Sequence, residues 1–159
     1  MEDFLYRGVN EEIFKVKNGL TPKGTSFVRV IQYGTGFKYG TITYGASERN
    51  AVVSHQKDSS RFPTLGISTT PIFDRAKYYA LSGGSCNKGY IYKISRVALG
   101  QFNVKEYKVA EYLSNPDIPE DNEIILVSKN GALPVEVVTE IIEVTNDQKM
   151  TKHLQVDLF

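Results

Sequence analysis

The sequence predicts an α+β domain made of short strands with few helices. Three observations carry that reading. Gly89-Tyr90-Ile91-Tyr92-Lys93-Ile94-Ser95 alternates with period 2, the signature of a half-buried strand. Glu123-Ile124-Ile125-Leu126-Val127-Ser128 is a near-continuous apolar run, as expected for a central strand buried on both faces. Helical spacing is confined to short segments in the first half of the chain.

Taken in order, Phe4 to Val9 reads as a first strand ended by Gly8. Asn10 then caps a short helix over Glu11 to Val16. Gly19-Leu20-Thr21-Pro22-Lys23-Gly24 is a turn. Ser26 to Tyr44, rich in Gly, Thr and Tyr, reads as an irregular loop or a hairpin. Its Gly34-Thr35-Gly36 lacks the flanking strand and helix of a phosphate loop and reads as a plain turn. Ala46 to Gln56 has helical spacing with Ala46, Val52 and Val53 on the buried side.

Gly66 to Thr70 reads as a short strand leading into a helix from Ile72 to Leu81. Thr70 is the expected N-cap, with Pro71 in the first turn and Asp74 near the positive end of the helix dipole. Ser82-Gly83-Gly84-Ser85 ends that helix, and Asn115-Pro116-Asp117-Ile118-Pro119 marks a loop. Asn130-Gly131 is a turn signal, and Val135 to Val144 reads as a long strand. The tail from Thr145 to Phe159 is polar until Leu154.

With 159 residues the expectation is one domain, burying roughly 70% of its extended-chain surface. Hydrophobic residues at 41% and charged residues at 23% exclude a disordered or coiled-coil chain. A net charge of +1 provides no global field toward nucleic acid or membrane. The single cysteine, Cys86, excludes an intrachain disulfide and a multi-cysteine zinc site. With only His55 and His153 besides, no metal is expected. No signal peptide and no bilayer-spanning run is visible, so a cytoplasmic location, in the producing or a target cell, and no membrane partner are expected.

Three pieces have the residue types of a charged active site: Arg7 within Tyr6-Arg7-Gly8, the run Ser68-Thr69-Thr70, and the acids Asp121 and Glu123. In an extended strand, positions 121 and 123 would share one face. Each piece alone also has a structural explanation: a surface arginine, a helix cap, a solvated turn.

In this order the pieces resemble the cholera-toxin-like mono-ADP-ribosyltransferases, whose signature is Arg, then Ser-Thr-Ser/Thr, then Glu-x-Glu or Gln-x-Glu. The similarity continues through Leu5-Tyr6-Arg7-Gly8, Gly19 to Gly24, Gly66 to Thr70, Gly89 to Ile94, Gln101-Phe102-Asn103-Val104, Pro119 to Ile124 and Gly131-Ala132-Leu133-Pro134. It covers roughly residues 4 to 144, which makes 1–144 the expected catalytic domain and 145–159 its C-terminal tail.

The resemblance implies a split antiparallel β-sandwich with peripheral short helices and NAD, as substrate, in a central cleft. It implies that Glu123 holds the ribose and stabilises the oxocarbenium-like transition state, as carboxylates do in glycoside hydrolysis. It makes Arg7 the brace for the NAD phosphates, with Tyr6 and Gly8 beside it, because a planar guanidinium suits phosphate oxygens. Ser68 would orient Glu123, and Thr69 and Thr70 would support that strand. His55 resembles a histidine that some relatives place near NAD, and reads equally as a polar residue at a helix end.

Asp121 stands where arginine-modifying relatives carry Glu and nucleobase-modifying ones carry Gln. It is expected to engage the acceptor, with Tyr112 or Ile118 of the preceding proline-containing loop touching the target. The acceptor expectation leans slightly to an RNA or DNA base over a protein side chain. An intracellular toxin or effector is implied, with a neutralising antitoxin if it acts in its own cell. The alternatives are an NAD glycohydrolase and an inactive relative serving as a binding module.

Overall fold

The computed structural model describes residues 3–16, 19–22, 29–33, 42–47, 66–129 and 131–146. In these the chain forms β1 (Phe4–Asn10), α1 (Glu11–Lys15), β2 (Arg29–Tyr33), β3 (Ile42–Ser47) and β4 (Ile67–Thr69). There follow α2 (Phe73–Ala80), β5 (Lys88–Ser95), α3 (Arg96–Gln101), β6 (Lys105–Lys108), β7 (Ile124–Val127) and β8 (Val138–Thr145). The class is mixed α+β. One antiparallel sheet has the order β1-β5-β8 and another β4-β7-β6, while β2 and β3 pair separately as a hairpin. No described helix is long and apolar enough to cross a membrane.

The two three-stranded sheets share a core. Leu5, Val9, Tyr92 and Ile94 come from one, and Ile67, Ile124 and Leu126 from the other, joined by Leu99, Val104, Leu133 and Val137. The alternate position Ile125 packs on the opposite face of β7 with Tyr107 and Val109. That two-sided burial is why residues 124–127 are apolar without alternation, and β7 is central as the sequence predicts. Among the described residues the sheets meet through one backbone rung: Tyr6 N–H donates to Thr70 O at 2.7 Å, and Thr70 N–H donates to Tyr6 O at 2.9 Å.

Helix α2 covers the outer face of the first sheet. Ala76 and Ala80 pack there with Leu81 against Ile91 and Val144. The approach is close enough that a Cβ on Gly8 would lie 1.9 Å from Ala76 O. The first strand therefore runs through Gly8 to Asn10 instead of ending there: the glycine makes room for a helix and does not break the strand.

Asn10 caps α1 as expected, its Oδ1 accepting from Ile13 N–H at 2.9 Å. Ser95 caps α3 in the same way, accepting from Ala98 N–H.

Other boundaries differ from expectation. Helix α2 begins at Phe73 after Ile72, so Pro71 precedes it and Thr70 is not its N-cap. The rung to Tyr6 holds Thr70 in the sheet, and its hydroxyl accepts from Ile72 N–H at 3.1 Å. Ala46 lies in β3, because pairing with β2 continues to Ser47; the rest of the expected 46–56 helix from 48 on lies outside the described residues. Val135–Val137 is a 3₁₀ turn following Pro134, which delays β8. Thr145 completes β8 opposite Lys88, and residues 147–159 of the expected tail lie outside the described residues.

Candidate active site

The site lies where β1 and β4 meet. Tyr6, Arg7 and Gly8 from β1, Ser68 and Thr69 from β4, Thr70 just after it, and Ile118, Asp121 and Glu123 from the loop before β7 line one cleft of about 350 Å³. Ala76 and Tyr79 of α2 and Asp117 complete the wall. Nine sequence-predicted positions, from Tyr6 to Glu123, are thereby brought together across two sheets.

Arg7 is half-buried beside its cross-strand partner Tyr92. Its Nη1 donates to Ser68 O at 2.9 Å, and its Nε donates to Gly19 O. The Gly19 turn is itself fixed by Leu133 N–H donating to Leu20 O. Burial pulls the Arg7 pKa down to about 10, against the upward pull of Tyr92 and Glu123. The guanidinium remains a cation at neutral pH. Its remaining donors, on a side chain lining the cleft, suit an anionic group such as phosphate.

Ser68 Oγ donates to Glu123 Oε1 at 2.6 Å, the short distance expected for a hydroxyl on a carboxylate. The register explains the meeting. Ser68 pairs with Ile125 and Thr69 with Ile124, so β4 runs beside the segment that Glu123 enters. Thr69 Oγ1 donates to Ile124 O at 2.7 Å and Thr70 Oγ1 to Asp121 O at 2.6 Å. The Ser-Thr-Thr run thus ties three successive hydroxyls to the acid-bearing segment.

Asp121 departs from the expected geometry. It lies at the end of a 3₁₀ turn, Pro119–Asp121, and Asn122 is left-handed with φ 46°. Positions 121 and 123 are not two steps along one strand, although both line the cleft. The Asp121 carboxylate turns to α2. Arg75 Nε donates to its Oδ1 at 2.6 Å, and the Tyr79 hydroxyl donates to its Oδ2.

The Arg75 guanidinium also lies 4.6 Å from the Tyr78 ring centroid. Its hydrogen bond to Asp121 raises the Arg75 pKa further. Burial, then the bond to Asp121, pushes the Tyr79 phenol up to about 12, so it is a neutral donor at neutral pH.

A family model described as NarE matches residues 4–126. The chain belongs to the NarE family. The NarE match includes every cleft residue named above and ends in β7. No curated protein matches the chain.

One expected contact of this NarE family member is not in the cleft, and another falls outside the described residues. Tyr112 is not among the lining residues; its ring packs 5.9 Å from that of Tyr107, over Ile125 and Val109. His55 lies outside the described residues. Conversely, Arg75, Tyr79 and Asp117 were not singled out from the sequence. The available signal was the one-turn spacing of Arg75 and Tyr79 on the helix that follows Ser-Thr-Thr. Asp117 is a third acid lining the cleft with Asp121 and Glu123. Among the described residues no group of His, Cys, Asp and Glu has the arrangement of a metal site.

Proposed function

We propose that this chain is an NAD-dependent mono-ADP-ribosyltransferase, acting as a toxin or effector inside a cell, that transfers ADP-ribose to a macromolecule and releases nicotinamide. The supporting observation is the 2.6 Å bond from Ser68 to Glu123 in the cleft that the desolvated Arg7 also lines. A carboxylate with one oxygen fixed by a serine is oriented before substrate arrives. Its charge then stabilises the positive charge that develops on the ribose as the bond to nicotinamide breaks.

A cleft of about 350 Å³ is at the small end of ligand pockets and suits the nicotinamide-ribose end of NAD. Arg7 would hold the phosphates. The split sandwich implied by the family resemblance is consistent with two sheets sharing one core.

The acceptor is a macromolecule whose class the cleft does not favour. The lean to a nucleobase rested on Asp121, whose two oxygens are engaged by Arg75 and Tyr79. The same engagement of Asp121 favours a second reading, NAD hydrolysis by water.

Incubation with NAD labelled in the adenylate, in cell extract, separates these. Label rendered soluble by protease identifies a protein acceptor, and by nuclease a nucleic acid. Free ADP-ribose alone identifies a glycohydrolase, and unconsumed NAD overturns both readings. If the acceptor belongs to the producing cell, a neutralising antitoxin is required.

A further inference from the structure

Between the Ser-Thr-Thr strand and the loop that delivers Glu123 stands a cluster that the proposed chemistry does not use. Arg75 and Tyr79 are one turn apart on α2 and reach the same carboxylate, one oxygen each. Asp121 is 8% exposed, and the Arg75 side chain is 24% exposed. A partly buried ion pair is weak ground for stability, since desolvation offsets much of the attraction. Such a pair, geometrically specific and at the wall of a cleft, instead fixes the position of whatever it joins.

What it joins is the turn immediately before Glu123. The Asp121 carbonyl accepts from the Thr70 hydroxyl, and the Asp121 N–H donates to Ile118 O at 3.1 Å. Two residues on, the Glu123 carbonyl accepts from Val109 N–H at 3.0 Å, and its side chain accepts from Ser68. Between these two anchored points is the left-handed Asn122, which sets the angle at which Glu123 leaves the turn. A shift of Asp121 toward or away from α2 is therefore transmitted to the Glu123 carboxylate. An acceptor proton seeking Asp121 would have to compete with a guanidinium and a phenol for the same oxygens.

We propose that Arg75 and Tyr79 are positioning residues that hold Asp121 as a strut between α2 and the 117–123 loop, so that Asp121 orients Glu123 and does not activate the acceptor. This rests on the NAD-cleaving reading of the cleft. The Tyr79→Phe substitution keeps the ring and removes the donated bond. Arg75→Lys keeps the charge and loses the planar guanidinium, whereas Arg75→Ala loses both.

The test measures nicotinamide release and acceptor labelling for wild type, Tyr79→Phe, Arg75→Lys, Arg75→Ala, Asp121→Asn and the Tyr79→Phe/Asp121→Asn double variant. A misplaced carboxylate should lower kcat for nicotinamide release by about fivefold or more in Tyr79→Phe, with KM for NAD within about twofold. Release and labelling should fall in parallel in every variant, and Arg75→Lys should retain more activity than Arg75→Ala. The double variant should be no slower than the slower single, because both changes remove one device.

Three results would overturn the proposal. They are a Tyr79→Phe enzyme releasing nicotinamide at the wild-type rate, a double variant whose loss is the product of the two single losses, and labelling lost in Asp121→Asn with release intact. Hydrogen exchange of the 117–123 segment is followed in the same proteins. It should be faster in Tyr79→Phe and Asp121→Asn than in wild type; equal exchange refutes the strut. If wild type leaves NAD intact, the transferase reading fails, while the exchange comparison still decides whether the strut exists.

Discussion

Ser68 and Glu123 are fifty-five positions apart in the chain, and a 2.6 Å hydrogen bond joins them where β4 runs beside the entry to β7. The serine hydroxyl donates, which fixes the position of Oε1. Replacing Ser68 by Ala deletes one hydrogen bond to a charged group. The expected loss is about 1.5–3 kcal/mol, or roughly 10- to 100-fold in kcat/KM for nicotinamide release. Activity within twofold of wild type would mean that the contact does not orient the carboxylate.

Glu123→Gln keeps the shape and the Ser68 contact but removes the charge. Nearly all turnover should disappear from kcat while affinity for NAD, measured by calorimetry, stays close to wild type. Weakened binding with turnover of the bound substrate unchanged would assign Glu123 to binding alone.

Arg7→Lys should weaken NAD binding and turnover together. Lysine retains the charge but cannot donate simultaneously to Gly19 O and Ser68 O while presenting further N–H groups to the cleft. Unchanged NAD affinity in titration calorimetry would leave Arg7 as a structural tie between β1 and the two segments it contacts.

Gly8→Ala should destabilise the fold. The added Cβ meets the Ala76 carbonyl oxygen at 1.9 Å, and that oxygen belongs to helix backbone, which cannot step aside alone. Overpacking of this kind costs about 1–3 kcal/mol or more. Urea denaturation is the measurement, and a midpoint equal to wild type would show that α2 sits farther from β1.

The Tyr79 phenol predicts a pH effect on stability. Its pKa rises from 10.0 to about 12 on folding, so the native state keeps a proton that the unfolded chain gives up. Its stabilising contribution is complete below pH 10 and declines as pH rises toward 12. Wild type should therefore lose more stability than Tyr79→Phe over that interval in paired denaturation curves. Parallel curves would contradict the burial and the bond to Asp121.

Where local chemistry decides, the sequence was legible. The period-2 run of β5, the apolar β7 and the Asn10 cap follow from neighbouring residues alone. Where a distant backbone decides, it was not. Gly8 reads as a terminator until Ala76 is seen beside it, and Thr70 reads as a cap until the rung to Tyr6 is seen. Arg7, Ser68 and Glu123 could be grouped only through resemblance, since nothing local connects them. The segment that carries Asp121 reads either as strand or as a solvated turn, because the left-handed conformation that decides for the turn falls on Asn122, a residue that tolerates it without announcing it. Arg75 and Tyr79 carry no local sign of their shared carboxylate, because it is forty-odd residues away.

The backbone rung between Tyr6 and Thr70 has a mechanical meaning. A displacement produced by rotating one sheet against the other grows with distance from the axis. Atoms near a pivot hardly move, and those at the far rim move most. Arg7 follows Tyr6 directly, and Ser68 precedes Thr70 by two residues, so their contact lies close to the pivot. A small rotation of one sheet against the other about that rung would leave the arginine-serine contact nearly still.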